Sequence, residues 1–374
     1  MLDLIGFGMV IPLLPLYAQR FDASPIQIGF LTAVYTLMQL AFAPLWGRLS
    51  DRIGRRPVIM ASLAGSAAAS LVFGLAGTLW LLFVARAVDG ISGASYAAAQ
   101  AYIADVTSPE ERAHGMGLIG AAFGIGFVVG PGLGALLALG DPRLPFLTAA
   151  ALAAANLGLA YVRLPESRRP GTRGERRPGF GQLVRALARP ELSPLVWVTF
   201  VGTFAFVGME TTFALYGHER FGFTLAEAGA VFAYIGVVAA VVQGGLVGRL
   251  VRRHGERPVL LAGLVLTGAA LAAIPAARTL WQLLVIMGVV AAASGLVFPT
   301  VTAIFSRRAG ADAQGGMLGL LASTGSLARL VGPVVGTVLF ERVGTSWPYL
   351  LGGALFAVCA VIAARTMFPR SVLA

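Results

Sequence analysis

Long apolar runs separated by short basic segments form the main pattern along this 374-residue chain. Each run approaches the ~20 residues that a helix needs to cross the hydrocarbon core of a bilayer. The pattern predicts twelve membrane spans, at residues 1–19, 26–46, 57–76, 79–103, 114–139, 144–162, 194–217, 225–248, 258–277, 279–304, 315–340 and 347–368. We therefore expect an all-α integral membrane protein with twelve transmembrane helices.

The composition agrees with a chain whose main solvent is the lipid bilayer. Hydrophobic residues make up 57% of the sequence and charged residues 12%, whereas a soluble domain carries about 25% charged residues. The mean hydropathy is +0.81. The single cysteine, Cys359, lies in the last predicted span and excludes a disulfide framework and a cysteine-based metal site.

The net charge of +11 indicates orientation, because all 28 cationic residues are Arg and they are concentrated in alternate connections. One set of connections holds Arg48, Arg52, Arg55, Arg56, Arg112, eight Arg between Arg163 and Arg189, Arg249, Arg252, Arg253, Arg257, Arg307 and Arg308. The opposite set holds only Arg20, Arg143, Arg220, Arg278 and Arg342. Basic connections face the cytoplasm, so we expect both termini there and no nucleic-acid partner.

The chain contains an internal sequence repeat. Gly47-Arg48-Leu49 recurs as Gly248-Arg249-Leu250, displaced by 201, while Ser92-Gly93 recurs as Ser294-Gly295 and Gly130-Pro131 as Gly332-Pro333, displaced by 202. The repeat is a six-span half. We predict an N-terminal six-helix bundle at 1–163, a cytoplasmic linker at 164–193 rich in Arg, Pro and Gly, and a C-terminal six-helix bundle at 194–374. Parallel repeats of this kind imply a central cavity and alternating access.

Four motifs carry a family resemblance. Gly47 to Arg56 resembles the loop signature G-x-L-[SA]-D-R-x-G-R-[RK] of the major facilitator superfamily. Gly6, Pro12 and Pro15 match a first-span pattern of exporters. Arg86-x-x-Asp89-Gly90, with Gly93 and Ala94, resembles a fourth-span pattern. Gly126-x-x-x-Gly130-Pro131-x-x-Gly134 resembles a fifth-span antiporter signature. Two departures are Asp89, where Gln is usual, and Ala135, where a second Gly is usual.

The whole chain thus resembles the twelve-span drug/proton antiporters of that superfamily, which include bacterial tetracycline and multidrug exporters. The resemblance implies a bacterial inner-membrane protein, with export favoured over import by the fifth-span motif. Tetracycline exporters carry a third-span acid where this chain has only Ala67, Ala68 and Ala69, which argues against tetracycline itself as the substrate.

Charged residues inside the predicted spans are the candidates for proton coupling, because each costs ~2.5–3.5 kcal/mol at a helix centre. Among them are Asp3, Arg86, Asp89, Glu210 and Arg329. An apolar surrounding disfavours an ionised carboxyl group, so Glu210 could take up a proton from outside and release it inside. The alternative is a structural hydrogen bond to a neighbouring helix.

Asp3 is the second proton-site candidate, and its position resembles the first-span acid of tetracycline exporters. Because Met1 stands almost at the first apolar residue, we expect the true start to lie upstream, which would place Asp3 well inside the helix; otherwise it is hydrated at the interface.

Arg86 and Asp89 are three residues apart and can pair on one helix face. Either this pair is structural, or Arg86 tunes a nearby acid and Asp89 relays the proton.

The loop signature predicts a conformational gate formed by Gly47, Asp51, Arg52, Gly54, Arg55 and Arg56. Gly47 and Gly54 would permit a tight turn, and Asp51 would pair with an Arg or cap the next helix. Topogenic charge alone would explain the Arg residues but not the Gly and Asp spacing. In the second copy Arg252 stands where Asp51 stands in the first, so we expect the gate on one half only.

The fifth-span glycines predict a smooth helix face. Gly126, Gly130 and Gly134 recur every four residues and would let another helix approach closely, while Pro131 removes a backbone hydrogen bond. Possible contacts with a substrate cavity are Tyr35, Gln39, Tyr96, Gln100, Tyr234 and Gln243. Each of these, taken singly, is as well explained by a contact between helices.

The leading functional prediction is proton-coupled efflux of small amphipathic or cationic compounds. A proton-coupled transporter of a sugar, metabolite or organic anion is the alternative, and a membrane scaffold or sensor is a third class. We predict no enzyme, since His114, His218 and His254 are scattered without metal-ligand spacing. The absence of a phosphate-binding loop indicates no ATP drive. The expected partners are a small-molecule substrate, protons and lipid, with the proton gradient instead of a cofactor, and we expect a monomer.

Overall fold

The computed structural model describes residues 1–93, 95–167, 192–309 and 314–367. These residues form fourteen α-helices, which we number in chain order. They are α1 (Leu2–Gln19), α2 (Pro25–Ile53), α3 (Arg55–Leu75), α4 (Leu79–Ser92), α5 (Ser95–Val106), α6 (Pro109–Ala138), α7 (Leu144–Arg163), α8 (Ser193–Phe221), α9 (Leu225–Val241), α10 (Val247–His254), α11 (Glu256–Ala273), α12 (Leu280–Ala309), α13 (Gln314–Arg342) and α14 (Trp347–Ile362). The predicted all-α class is confirmed.

Among the described residues, eleven helical stretches are long and apolar enough to cross a membrane. The difference from the twelve predicted spans lies at 79–103, where the chain forms two shorter helices. Helix α4 ends at Ser92, and Gly93 adopts φ −64° and ψ 4° beyond it. The predicted span at 225–248 is longer than expected, because α9 is followed by a π-helical turn at Val242–Leu246 and then by α10.

The predicted turn at the loop signature is much shorter than expected. Helix α2 runs on to Ile53, and only Gly54, with φ +103°, separates it from α3. No helix-breaking residue lies between Gly47 and Ile53, and charged side chains at a helix end can stay in water. Gly47 is therefore a helical residue, and the prediction that it permits the turn is wrong. In the second half Gly255, with φ +80°, makes the same turn between α10 and α11.

The chain divides into two compact units. The first unit is Met1–Glu175 with Gly217–Ala233, and the second is Arg176–Tyr216 with Tyr234–Ala374. In the first unit α1 packs on α6 and α7, and α3 packs on α4 and α7. In the second unit α11 packs on α12 and α14. The predicted bundle boundaries stay a prediction, and most of the predicted linker lies outside the described residues.

Glycines bring helices into backbone contact in both units. In the first unit a Cβ on Gly130 of α6 would lie 2.7 Å from the carbonyl carbon of Gly8 on α1. In the second unit a Cβ on Gly332 of α13 would lie 2.8 Å from the carbonyl oxygen of Phe204 on α8. Small residues are the usual basis of close helix packing in membranes. The repeat in sequence is therefore also a repeat in packing.

Candidate transport site and gate

Three backbone carbonyl groups at the end of α4 each accept a hydrogen bond from a side chain of a neighbouring helix. Trp46 Nε1 donates to the Ile91 oxygen (2.6 Å), and Gln39 Nε2 donates to the Gly93 oxygen (3.2 Å). The Ser62 hydroxyl of α3 makes a short hydrogen bond to the Ser92 oxygen. An unsatisfied backbone group in lipid costs several kcal/mol. Side chains of α2 and α3 thus stabilise an interrupted membrane helix.

The predicted pairing of Arg86 with Asp89 is confirmed at this break. Arg86 Nη1 lies 3.2 Å from Asp89 Oδ2, and the Arg86 side chain is only 2% exposed. Its guanidinium carbon lies 4.5 Å from the centre of the Tyr35 ring, within the range of a cation–π contact. Gln39 Nε2 lies 3.4 Å from the Tyr35 hydroxyl oxygen and donates to it. Four of the predicted site residues therefore meet beside the break.

Asp3 belongs to the same cluster. It is partly buried on α1, and it interacts electrostatically with Asp89, which also forms a hydrogen bond with Ser66. Two carboxyl groups and one guanidinium group carry one negative charge in excess when all are ionised. One bound proton would make the cluster of Asp3, Arg86 and Asp89 neutral.

Aromatic rings extend from this cluster across three helices of the first unit. The rings of Phe7 on α1 and Tyr35 on α2 have centroids 5.6 Å apart. Phe7 also meets Phe127 of α6 at 6.2 Å, and Phe127 stacks with Phe123 at 6.2 Å. Phe7, Phe123 and Phe127 were missed in the sequence analysis, because an aromatic residue in an apolar span gives no signal of its own. Together they form an apolar and polarizable surface beside charged groups.

Glu210 lies in the second unit, on α8. It is half-buried and stands two residues after Gly208, whose Cβ position is 3.2 Å from the Gly332 oxygen of α13. The next two residues, Thr211 and Thr212, each donate a hydroxyl hydrogen bond of 2.9 Å to a carbonyl of their own helix. Glu210 is thus placed at a tight helix crossing, and its role in proton coupling stays a prediction.

The other predicted cavity residues do not gather into one group. Gln100 is half-buried on α5, and the side chain of Tyr96 lies outside the described residues. The Tyr234 hydroxyl lies directly against Gly288 of α12. Gln243 is exposed in the π-helical turn, with its Cγ 3.6 Å from the Cβ position of Gly295. Their roles as substrate contacts stay predictions.

The predicted gate is built around Arg55. Asp51 Oδ1 lies 2.9 Å from Arg55 Nη1, so the predicted pairing of Asp51 with an Arg is confirmed. Asp105 Oδ2 lies 3.0 Å from Arg55 Nε, and the Ser50 hydroxyl accepts from Nη1 at 3.0 Å. Arg55 is buried, and its guanidinium ties α2, α3 and α5 together. Arg52 is exposed, and the pairs described here do not include it.

Glu166 completes the gate, and the sequence analysis missed it. Its two carboxylate oxygens accept the backbone N–H groups of Arg55 (2.8 Å) and Arg56 (3.1 Å) at the start of α3. A negative charge stabilises a helix N-terminus. Arg56 Nη2 also donates to the Tyr161 oxygen (2.6 Å). Capping of α3 by Asp51 is therefore wrong, because Glu166 takes that position. An acid three residues after the last residue of α7 was the available signal.

The antiporter motif lies between two helices of the first unit. On one side the Cβ positions of Gly126 and Gly130 are 2.6 and 2.7 Å from the Leu4 and Ile5 oxygens of α1, which confirms the predicted smooth face. On the other side Gly229 of α9 has its Cβ position 3.1 Å from the Pro131 oxygen and 3.0 Å from the Ala135 Cβ. The extra methyl group of Ala135 thus faces a glycine on the partner helix.

Repeated halves of apolar helices, with one span broken beside a buried ion pair, define a helical membrane transporter. The chain matches the family model of the Major Facilitator Superfamily over residues 1–253 and 240–372, and it belongs to that family. The resemblance predicted from the motifs is therefore confirmed.

Two relatives with similar sequences are named as resistance proteins. The chain is 33% identical over 383 residues to the class C tetracycline resistance protein of Escherichia coli, covering 99% of this chain and 96% of the relative. It is 30% identical to multidrug resistance protein 2 of Bacillus subtilis (strain 168), covering 95% and 90%. Among solved structures, the human organic anion transporter MFSD10 is 27% identical with a TM-score of 0.70, covering 97% of this chain and 96% of that one. A mutant of the nucleoside transporter NupG shows the same fold, with a TM-score of 0.81 at 13% identity and coverage of 98% and 97%.

Proposed function

We propose that this membrane transporter exports small amphipathic or cationic compounds in exchange for protons, by alternating access. The observation that carries the proposal is the cluster of Asp3, Arg86 and Asp89 beside the break after α4. Asp89 pairs with Arg86 and interacts with Asp3, so one bound proton changes the three groups from a net negative charge to neutrality. A site with two such states can respond to a proton gradient.

The neighbouring aromatic rings support an amphipathic or cationic substrate. Cations bind favourably over aromatic faces, and ligand pockets combine apolar walls with a few polar groups. Tyr35, Phe7 and Phe127 offer such faces within contact distance of the charged cluster. In this mechanism a bound cation and a bound proton compete for the excess negative charge, which couples the two movements in opposite directions. The second proton site of the proposal is Glu210.

Organic-anion transport is the second candidate, and the buried guanidinium of Arg86 favours it. An anion would pair with Arg86 only if Asp89 gave up that contact, for example by taking up a proton. The solved structure of MFSD10, an organic anion transporter by its name, covers nearly the whole chain. This alternative also uses the α4 cluster, and it differs from the first in the sign of the transported charge.

The remaining expectations belong to the same proposal. Both termini face the cytoplasm, the membrane is a bacterial inner membrane, and the protein acts as a monomer without a cofactor or catalytic role. The gate around Arg55 controls which side of the transport path is open. Support for the orientation comes from the Arg distribution, which places Arg48 to Arg56 and Arg249 to Arg257 on one side.

The test uses purified protein in liposomes that contain a pH indicator, under an imposed proton gradient. Tetracycline, a panel of lipophilic cations and a panel of organic anions are added in turn. We expect lipophilic cations to trigger proton flux in the wild type and in the control variant Glu219→Gln, which changes an exposed acid of α8. Asp89→Asn and Glu210→Gln should fold and lose that flux. Flux with anions alone would favour the second candidate, and unchanged flux in both variants would contradict the proton sites.

A further inference from the structure

The ion pair Arg55–Asp105 has a counterpart in the second half with the charges exchanged. The repeat displaces the loop signature by 201 residues and the fourth span by 202. These displacements carry Arg55 onto Glu256 and Asp105 onto Arg307. The second pair is also formed, because Arg307 Nη2 is in direct contact with Glu256 Oε1. The same two positions thus hold an ion pair in each unit, with opposite polarity.

The backbone around the two pairs is equivalent, so the difference lies in the charges. Arg55 and Glu256 are each the first residue of a helix, directly after a glycine turn. Gly54 has φ 103° and ψ 166°, and Gly255 has φ 80° and ψ 170°. Each pair joins the helix start to the last turn of α5 or to the final residues of α12.

The surroundings explain the polarity of each pair. In the first unit Arg55 contacts Asp51 and its backbone N–H is held by Glu166, so a cation at position 55 meets acids. In the second unit the position of Asp51 is taken by Arg252, and Glu256 is flanked in sequence by basic residues. The less exposed partner is the base in one unit and the acid in the other: 7% for Arg55 against 29% for Asp105, and 20% for Glu256 against 62% for Arg307.

We infer that Arg55–Asp105 and Glu256–Arg307 are matched clamps of opposite polarity, one in each unit. Each holds the start of one helix against the end of another and lets its unit move as one body during transport. Asp105, Glu256 and Arg307 are therefore positioning residues. The gate that we expected on one half only is thus replaced by a pair of clamps, each within one unit. The role of the clamps in transport rests on the proposed function, whereas their existence rests on the ion pairs.

The test is a double-mutant cycle in each unit. The first uses Arg55→Gln and Asp105→Asn, and the second uses Glu256→Gln and Arg307→Gln, each alone and combined. Arg48→Gln is the matched control, because it removes an exposed charge near the same helix end. Two readouts are taken: the midpoint of thermal unfolding in detergent, and the maximal rate and KM of transport in liposomes.

We expect each single variant to lower the unfolding midpoint and the double variant to lower it no further than the worse single. Non-additive losses are typical of residues in direct contact. The maximal rate of transport should fall about tenfold with little change in KM, because losing the clamp slows a conformational step without removing a substrate contact. The control should retain both values. Additive losses in either unit, or equal damage by Arg48→Gln, would overturn the inference.

The polarity is tested separately by giving the first unit the charges of the second, in the triple variant Asp51→Arg, Arg55→Glu, Asp105→Arg. It should recover most of the unfolding midpoint that Arg55→Glu alone loses, and no recovery would overturn the inference of matched clamps. The thermal readout needs no substrate. A wild type without substrate-triggered flux but with coupled unfolding would therefore contradict the proposed function and leave the clamps intact.

Discussion

The two units share their packing but differ in the chemistry of corresponding helices. Helix α4 breaks after Ser92 beside Arg86 and Asp89, whereas α12 continues from Leu280 to Ala309 without interruption. The displacement of 202 carries Arg86 onto Gly288 and Asp89 onto Ala291. Close glycine crossings recur in both units, while the buried acid–base pair occurs in the first. A duplicated bundle can thus keep one set of contacts for architecture and use one copy for charge.

The largest effect is expected from removing Arg86, whose corresponding position in the second unit is Gly288. Arg86→Gln would leave Asp89 without its cation, and breaking a buried pair costs about 3–5 kcal/mol. We expect a strongly lowered unfolding midpoint and loss of proton flux. Arg86→Lys keeps the charge and should be intermediate, while Arg20→Gln, at an exposed site, is the control. If Arg86→Gln keeps wild-type stability and proton flux, the charge of Arg86 is not the functional difference between the two units.

A comparable loss in both units is expected when the shared packing is disturbed. In Gly130→Val the added Cβ would lie 2.7 Å from backbone atoms of α1, and in Gly332→Val it would lie 2.8 Å from the Phe204 oxygen. Overpacking of this kind costs about 1–3 kcal/mol or more. Gly132→Val is the matched control, since its nearest neighbour is the Ala233 Cβ at 3.5 Å. If thermal unfolding shows a large loss of stability in only one of Gly130→Val and Gly332→Val, the two helix crossings are not equivalent.

A smaller effect is expected from the donor that supports the α4 break. Gln39→Ala would leave the Gly93 oxygen without its side-chain donor, and a buried unsatisfied group costs about 1–3 kcal/mol. Gln243→Ala removes an exposed amide from the π-helical turn between α9 and α10 in the second unit and should change stability by less than about 0.5 kcal/mol. Denaturation of both variants in detergent checks the difference. Equal losses would mean that the break needs no special support.

The smallest effect is expected where α6 meets α9. Gly229→Ala would bring its methyl group to 3.0 Å from the Ala135 Cβ, which we expect to cost about 1 kcal/mol. Adding Ala135→Gly should relieve this contact and recover part of the unfolding midpoint, because the Pro131 oxygen stays 3.1 Å from the new methyl group. If the double variant is less stable than Gly229→Ala alone, the two positions do not compensate each other.

The sequence predicts the all-helical class and eleven of its twelve spans, because apolar length alone defines a span. It does not predict the break at Gly93, since apolar residues lie on both sides and the matching Ser294-Gly295 sits inside an unbroken helix. What distinguishes the two is the set of donors on neighbouring helices, and their meeting is a tertiary property. The pair Arg86–Asp89 was predictable from its spacing of three residues. For Glu166 the sequence shows only an acid shortly after α7, and it does not show the partners, which are backbone groups 110 and 111 residues earlier.

The most direct test of the central claim is proton release on substrate binding, measured in weakly buffered detergent solution with the compound that triggers the strongest flux. The cluster of Asp3, Arg86 and Asp89 should bind a proton in the absence of substrate and release it when a cationic substrate binds. We predict that the wild type acidifies the solution, while Asp89→Asn still binds the compound, seen by calorimetry, without acidification. Equal acidification by Asp89→Asn would contradict the assignment of the proton site to the broken helix.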